Sequence, residues 1–170
     1  MSHTDIEIRL ARPGDARSIA VMSRDLIETG LGWSYPPHRI AALVTDRDTV
    51  SLVARRGEVL AGFGIMSFGE EHAHLVLLAV RPAQRRRGVA RRVLEWLLES
   101  ALTAGIASVH VELRAQNRDA YDFYRALGFA ETLRLTGYYR GRETAIRMLR
   151  MLRTTSSTTV HWQPPTLGAR

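Results

Sequence analysis

Cysteine and lysine are both missing from this chain of 170 residues. Without cysteine there are no disulfides, no thiolate metal ligands and no thiol nucleophile. A reducing compartment suits that composition, and a cytoplasmic location is expected. Without lysine, lysine catalysis and lysine modification are excluded. Long apolar runs are missing as well: none approaches a membrane span, and the N-terminal residues lack the apolar core of a signal peptide. What remains is the ordinary balance of a globular protein, 45% hydrophobic and 24% charged, long enough for one domain with a full core. The net charge of +7 is carried on the basic side by arginine alone. Such a balance suits an anionic partner, a nucleic acid or a polyphosphate cofactor.

Six of the arginines lie between Arg81 and Arg92, inside the most informative stretch. Leu75 to Val80 is a short apolar run of the kind found in buried strands. Arg81-Pro82 ends it, and a turn from Gln84 to Ala90 follows, rich in arginine and holding Gly88. From about Val89 an amphipathic helix is expected, with Val93, Leu94, Leu97, Leu98, Ala101 and Leu102 on one side. A strand feeding a glycine turn that opens a helix is a cradle for an anion. The first N–H groups of the helix have no intrahelical partner, and the helix dipole is positive there. Gly88 permits close approach to the backbone, and Arg85, Arg86 and Arg87 add forked donors suited to phosphate. The turn has neither the Gly-Lys-Ser/Thr ending of a nucleotide P-loop nor the three glycines of a dinucleotide turn. The plain alternative is a solvated, basic helix start.

Along the rest of the chain, Ile6 to Leu10 alternates as a strand, and Asp15 is a candidate N-cap for a helix reaching about Glu28. Trp33 and Tyr35 sit in a loop that they either pack down or open as a wall of a substrate cleft. A short helix is expected over 38–44. Strands are expected over 50–55, 59–68, 72–80 and 108–114. Asn117 caps a helix that Gly128 stops. Two last strands, 129–135 and 142–152, are joined through Gly137-Tyr138-Tyr139-Arg140-Gly141. If that joint is extended, Tyr138 and Tyr139 point to opposite faces, and only one of them lines a given cleft wall. Residues 1–153 are expected to form one domain, and 154–170 a polar tail. The order β-α-α-β-β-β-α-β-α-β-β predicts a mixed α/β sheet with helices on both faces.

Two motifs resemble those of the GNAT N-acetyltransferase superfamily. One is Val80-x-Pro82-x-x-Arg85-x-x-Gly88-x-Ala90, similar to the family's acetyl-CoA pyrophosphate loop. The other is Asn117-x-x-Ala120-x-x-x-Tyr124-x-x-x-Gly128-Phe129. The resemblance covers residues 6–152. It implies a mostly antiparallel sheet of about seven strands, splayed in the middle between the strands ending near Val80 and Arg114. It further implies acetyl-CoA as cosubstrate, its pantetheine arm beside Leu78, Ala79 and Val80 and its pyrophosphate on the N–H groups from Arg85 through Arg86, Arg87, Gly88 and Val89 to Ala90, with Asn117 and Tyr124 also near it. The second half is similar to ribosomal-protein alanine N-acetyltransferases, through Val111-Glu112-Leu113-Arg114-Ala115-x-Asn117, the tyrosine pair and Gly141-Arg142-Glu143-x-Ala145. That likeness implies Glu112 as general base and Tyr124 as general acid. It also implies that Tyr138 and Tyr139 help grip the acceptor; Trp33 and Tyr35, in a region that does not match those enzymes, are acceptor candidates from the loop reading alone.

Direct transfer to an amine needs no cysteine. It needs a neutral amine, and an α-amino group with a pKa near ~8 is closer to that state than a lysine side chain near ~10.4. Glu112 is one candidate proton acceptor, and His74 and His110 are rivals with pKa values nearer neutrality. His72 and His74 share a face, but without a third ligand a metal is not expected. The acceptor is left open between a protein N-terminus and a small amine such as an antibiotic, polyamine or amino acid. A homodimer is left open too. A nucleic-acid binder is disfavoured, since no aromatics interleave with the arginine cluster and no helix-turn-helix pattern occurs. An acetyl-CoA sensor is disfavoured because Gly88 and Tyr124 are both present.

Overall fold

The computed structural model describes residues 5–139 and 141–153. The expected polar tail, 154–170, lies outside the described residues. The elements are β1 (Glu7–Leu10), α1 (Ala16–Leu26), α2 (Pro37–Thr45), β2 (Thr49–Arg56), β3 (Val59–Phe68), β4 (His72–Val80), α3 (Val89–Thr103), β5 (Ser108–Arg114), α4 (Arg118–Ala126), β6 (Ala130–Tyr139) and β7 (Glu143–Met151). The seven strands form one sheet in the order β1-β2-β3-β4-β5-β7-β6. Every pair is antiparallel except β4 and β5.

Each face of the sheet has its own core. Val53, Phe63, Ile65 and Leu77 pack with Ile19 and Met22 of α1 and Ile40 of α2. On the other face, Leu52, Met66, Leu75, Val109, Val111 and Ile146 pack with Val93, Leu94 and Leu97 of α3 and with Tyr124 of α4. A fully buried leucine or isoleucine contributes roughly 1.5–3 kcal/mol, so α3, with Val93, Leu94, Leu97, Leu98 and Ala101 inside, is among the most firmly held elements; Leu102, expected on the same side, is exposed at the helix end. It sits directly on β3. A Cβ at Gly64 would lie 2.7 Å from Val93 Cγ1, so only glycine lets the helix come this close.

The parallel β4–β5 pairing is short. It runs from His72↔Ser108 to Leu75↔Val111 and stops. Beyond it the strands part, as the family resemblance implies. A bulge falls at the same place. Ile65 pairs with Leu77 and Met66 with Leu75, so Val76 is an extra residue on β4. The bulge inverts the alternation: Ala73 and Leu75 face α3, whereas Leu77 and Ala79 face α1 and α2.

Three local expectations change. Asp15 does not cap α1 with its side chain. Its carboxylate instead accepts the Arg12 N–H (2.8 Å) and pairs with Arg9 (2.8 Å) and Arg55 (3.5 Å), a stronger set of donors than a single helix N–H. The first helix ends at Leu26, because Glu28 turns inward. The strand expected to stop at Leu135 continues to Tyr139 through a further bulge: Leu135 pairs with Ala145 and Tyr139 with Glu143. Gly137 takes the left-handed backbone (φ +69°) that this bulge requires.

Candidate active site

The turn before α3 has the shape of an anion cradle. Pro82–Gln84 form one 3-10 turn, and α3 starts at Val89 with Gly88 in left-handed conformation, φ +74°. Arg86 is left-handed too, at φ +62°, and is the one described non-glycine residue with positive φ. Such a conformation costs roughly 1–2 kcal/mol for a residue with a Cβ. A strained residue two positions before a left-handed glycine is a pointer to a functional turn. A Cβ built on Gly88 meets nothing within 4 Å, so the space above it is open.

The arginines divide their roles. Arg81 Nε donates to the Leu60 carbonyl (2.6 Å) and Arg85 Nε to the Val80 carbonyl (3.1 Å), so both brace the turn against the strands. The Arg85 N–H is committed to the Pro82 carbonyl at 3.3 Å. The next backbone N–H of the turn after this bond is that of Arg86. Arg91 pairs with Glu95 at 2.9 Å, and Arg86 and Arg87 are left exposed at the turn. Leu78, Ala79 and Val80 pair with β3 on one edge, and their other edge faces the splay. Asn117 Oδ1 accepts the Ala120 N–H at 3.1 Å, so this side chain caps α4.

Tyr124 is buried against Phe129 and Phe123, in edge-on contact with both. Burial raises its phenol well above the usual range, which keeps it protonated at neutral pH. It belongs to the α3–α4 face, whereas Glu112 belongs to the opposite one. The β4–β5 pairing ends at Leu75↔Val111, one residue before Glu112 on β5.

On the α1–α2 face, a row of polar side chains runs along β4, β5 and β7. Glu112 is half-buried. Its Oε1 accepts Arg147 Nη2 (2.6 Å) and Nε (3.2 Å), and its Oε2 accepts the Tyr138 hydroxyl (2.7 Å). Burial alone would push this carboxyl up. The Arg147 guanidinium and the Tyr138 hydroxyl outweigh it and hold the group below the usual glutamate range. Two rungs away His74 and His110 stack at 4.5 Å, 5° from parallel. Two rungs further His72 Nδ1 lies 2.6 Å from Ser108 Oγ. Among the described residues no three acidic or histidine side chains converge as a metal site requires.

Both tyrosines of the β6–β7 joint face this row. Their rings meet edge to face at 5.0 Å, and both feel the Glu112 charge. The expected opposite orientation fails because the bulge at Gly137 breaks the two-residue alternation. Tyr139 is the more enclosed, and burial with the nearby Glu112 pushes its phenol up to about 12. Tyr35 lies against the same group: burial, Glu28 and Glu112 raise its phenol, opposed by Arg39 stacked on its ring at 4.4 Å. Trp33 is placed differently. Its indole donates to the Ala20 carbonyl (3.2 Å) and Arg24 covers its ring, so it anchors the loop to α1.

Two residues here carry no sequence signal of their own. Arg147 meets Glu112 through the β5–β7 register, Glu112↔Arg147, across 35 positions of chain. Glu28 is 6% exposed, and its carboxylate accepts Ser23 Oγ (2.9 Å), the Ser34 N–H (2.6 Å) and the Tyr35 N–H (3.2 Å). It sets the path of the Trp33–Tyr35 loop.

Residues 22–129 match the model of the Acetyltransferase (GNAT) family, and the chain belongs to that family. It is 37% identical over 92 residues to ribosomal protein bS18-alanine N-acetyltransferase of Salmonella typhimurium, covering 52% of this chain and 62% of that one. The chain thus spans less than two thirds of the length of this curated relative. It is 36% identical over 70 residues to the N-terminal acetyltransferase B complex catalytic subunit naa20 of Schizosaccharomyces pombe, 41% of this chain and 39% of that one. Among solved structures, Ard1 from Thermoplasma volcanium superposes with a TM-score of 0.76 at 26% identity, covering 88% of this chain and 99% of that one.

Proposed function

We propose that this protein is an acetyl-CoA-dependent N-acetyltransferase acting on the α-amino group of a protein N-terminus. One observation carries the reading: the β4–β5 splay opens at one end onto the Gly88 cradle and on one face onto the Glu112–tyrosine row. A donor and an acceptor can then meet at the splay from opposite sides. The names of the relatives support the choice of acceptor, since those proteins act on a ribosomal-protein alanine or belong to an N-terminal acetyltransferase complex.

Acetyl-CoA supplies the acyl group as a thioester. The N–H groups from Arg86 to Ala90, with the exposed Arg86 and Arg87 side chains, hold its pyrophosphate. The free edge of Leu78–Val80 pairs with its amide arm. Tyr124, protonated by virtue of its burial, donates to the departing sulfur. Glu112, kept ionised by Arg147 and Tyr138, faces the ammonium group of the acceptor. Tyr35, Tyr138 and Tyr139 wall the approach, with amphipathic rings that can grip a peptide segment.

A turnover screen with acetyl-CoA tests this reading, set against peptides with free N-termini and a panel of small amines. Acetylation of peptides in preference to small amines is expected. Turnover of small amines alone would reassign the acceptor. Absence of both turnover and thermal stabilisation by acetyl-CoA would remove the activity altogether.

A further inference from the structure

The stacked histidines are an unusual pair for a structural role. His74 and His110 occupy matched register positions on parallel strands, at the next-to-last rung before β4 and β5 part. Their rings lie on the α1–α2 face, because the flanking Ala73, Leu75, Val109 and Val111 all pack toward α3. They therefore sit at the closed end of the splay, on the side from which an acceptor would enter. Glu112 is two residues along β5 on the same face, but both of its oxygens already accept donors, Oε1 from Arg147 and Oε2 from Tyr138.

We propose that the His74–His110 pair, and not the Glu112 carboxylate, accepts the proton of the incoming ammonium group, directly or through one water. This deepens the N-acetyltransferase reading and rests on it. The proton balance closes. The acceptor nitrogen loses one proton to an imidazole and so gains a free lone pair. It then forms the C–N bond to the acetyl carbon and loses a second proton as the C–S bond breaks. The first proton passes from the imidazole to solvent, and the emptied pair takes the second; Tyr124 delivers its own proton to sulfur and is reprotonated by that second proton, so one proton is released overall. Glu112, as an ionised neighbour, orients the ammonium.

The surroundings suit a proton acceptor of near-neutral strength. Burial favours neutral imidazole at His74, as does the facing His110. At His110 burial acts first and Arg147 from β7 acts with it, along with His72 from β4. Glu112 on β5 and the Ala73 backbone pull the other way. Tyr138 and Tyr139 from β6 and Tyr35 from the α1–α2 loop bear on Glu112. Two imidazoles stacked at this distance cannot both hold a charge cheaply, so the pair takes one proton at a time. His72, exposed two rungs back, lies toward solvent.

The test is the pH dependence of kcat/KM with acetyl-CoA and a peptide amine, for wild type, the double variant His74→Gln with His110→Gln, and Glu112→Gln. Wild type should show an acidic limb below the ordinary histidine value of 6.5. In the double variant that limb should move up to the amine's own pKa near ~8, with kcat/KM at pH 7 lowered about 10-fold. In Glu112→Gln the limb should remain and move down, because the lost carboxylate favoured the charged imidazole. A limb unmoved in the double variant, or abolished in Glu112→Gln, overturns the proposal. Acetyl-CoA-induced thermal stabilisation, measured on each variant, shows that the donor site is intact. Failure of wild type to acetylate any amine would instead sink the underlying activity, and this proposal with it. Independently of turnover, NMR titration of the histidine ring protons should show two imidazoles charging one after the other below 6.5. Two independent titrations at the ordinary value would overturn the pair as a unit.

Discussion

The proposed donor side and the proposed acceptor side of the splay are built in different ways. The donor side is nearly continuous in sequence: the end of β4, the arginine turn and the start of α3 follow one another from Leu78 to Ala90. Its geometry is local, set by a proline, one glycine and the N-terminus of a helix. The acceptor side is assembled from distant pieces. Tyr35 comes from the α1–α2 loop, His74 from β4, Glu112 from β5, Tyr138 and Tyr139 from β6, and Arg147 from β7. Its geometry depends on strand register and on the bulges in β4 and β6. A local device tolerates change elsewhere in the chain, whereas an assembled one can be altered by a single slip of register.

The sharpest separation of the two sides comes from Gly88→Glu. A carboxylate in the open space over the cradle repels an anion, and the φ of +74° disfavours any side chain. Calorimetry should find acetyl-CoA binding abolished with the fold retained. Undiminished affinity would place the cradle elsewhere. Next, Tyr124→Phe removes only a hydroxyl from a packed ring. Turnover should fall about 100-fold, as expected for loss of a general acid, with acetyl-CoA affinity unchanged. Equal losses in both would mean that Tyr124 serves binding.

Two smaller effects probe the acceptor side. Arg147→Gln removes the main partner of Glu112. The folded-state pKa of this carboxyl is depressed, so its contribution to stability is complete above the ordinary value of 4.5 and is lost as pH falls through the lowered value. The melting-temperature gap between wild type and variant should therefore be open at pH 7 and narrow below about 4.5. A gap independent of pH would mean that Arg147 acts through packing alone. Gly137→Ala should cost about 1 kcal/mol in denaturant unfolding, because its φ of +69° strains any Cβ. By disturbing the bulge it should also raise the acceptor KM a few-fold and leave the acetyl-CoA KM alone. A change in the donor constant would show that the two sides are coupled.

Element order, the helix faces and the cradle were legible in the residues, because apolar periodicity and turn chemistry act over a few neighbouring positions. The alternating polar residues of β5 likewise placed His110 and Glu112 together on one face. What only the tertiary structure decided is what those residues meet. The ion pair of Glu112 with Arg147, the stack of His74 on His110 and the turning of both tyrosines to one side all follow from register. Register is set by packing across the whole sheet, and a bulge such as the one at Val76 inverts the side chains beyond it. The buried Glu28 belongs with these, since a glutamate is polar in any sequence pattern and goes inside only when the fold brings it enough donors.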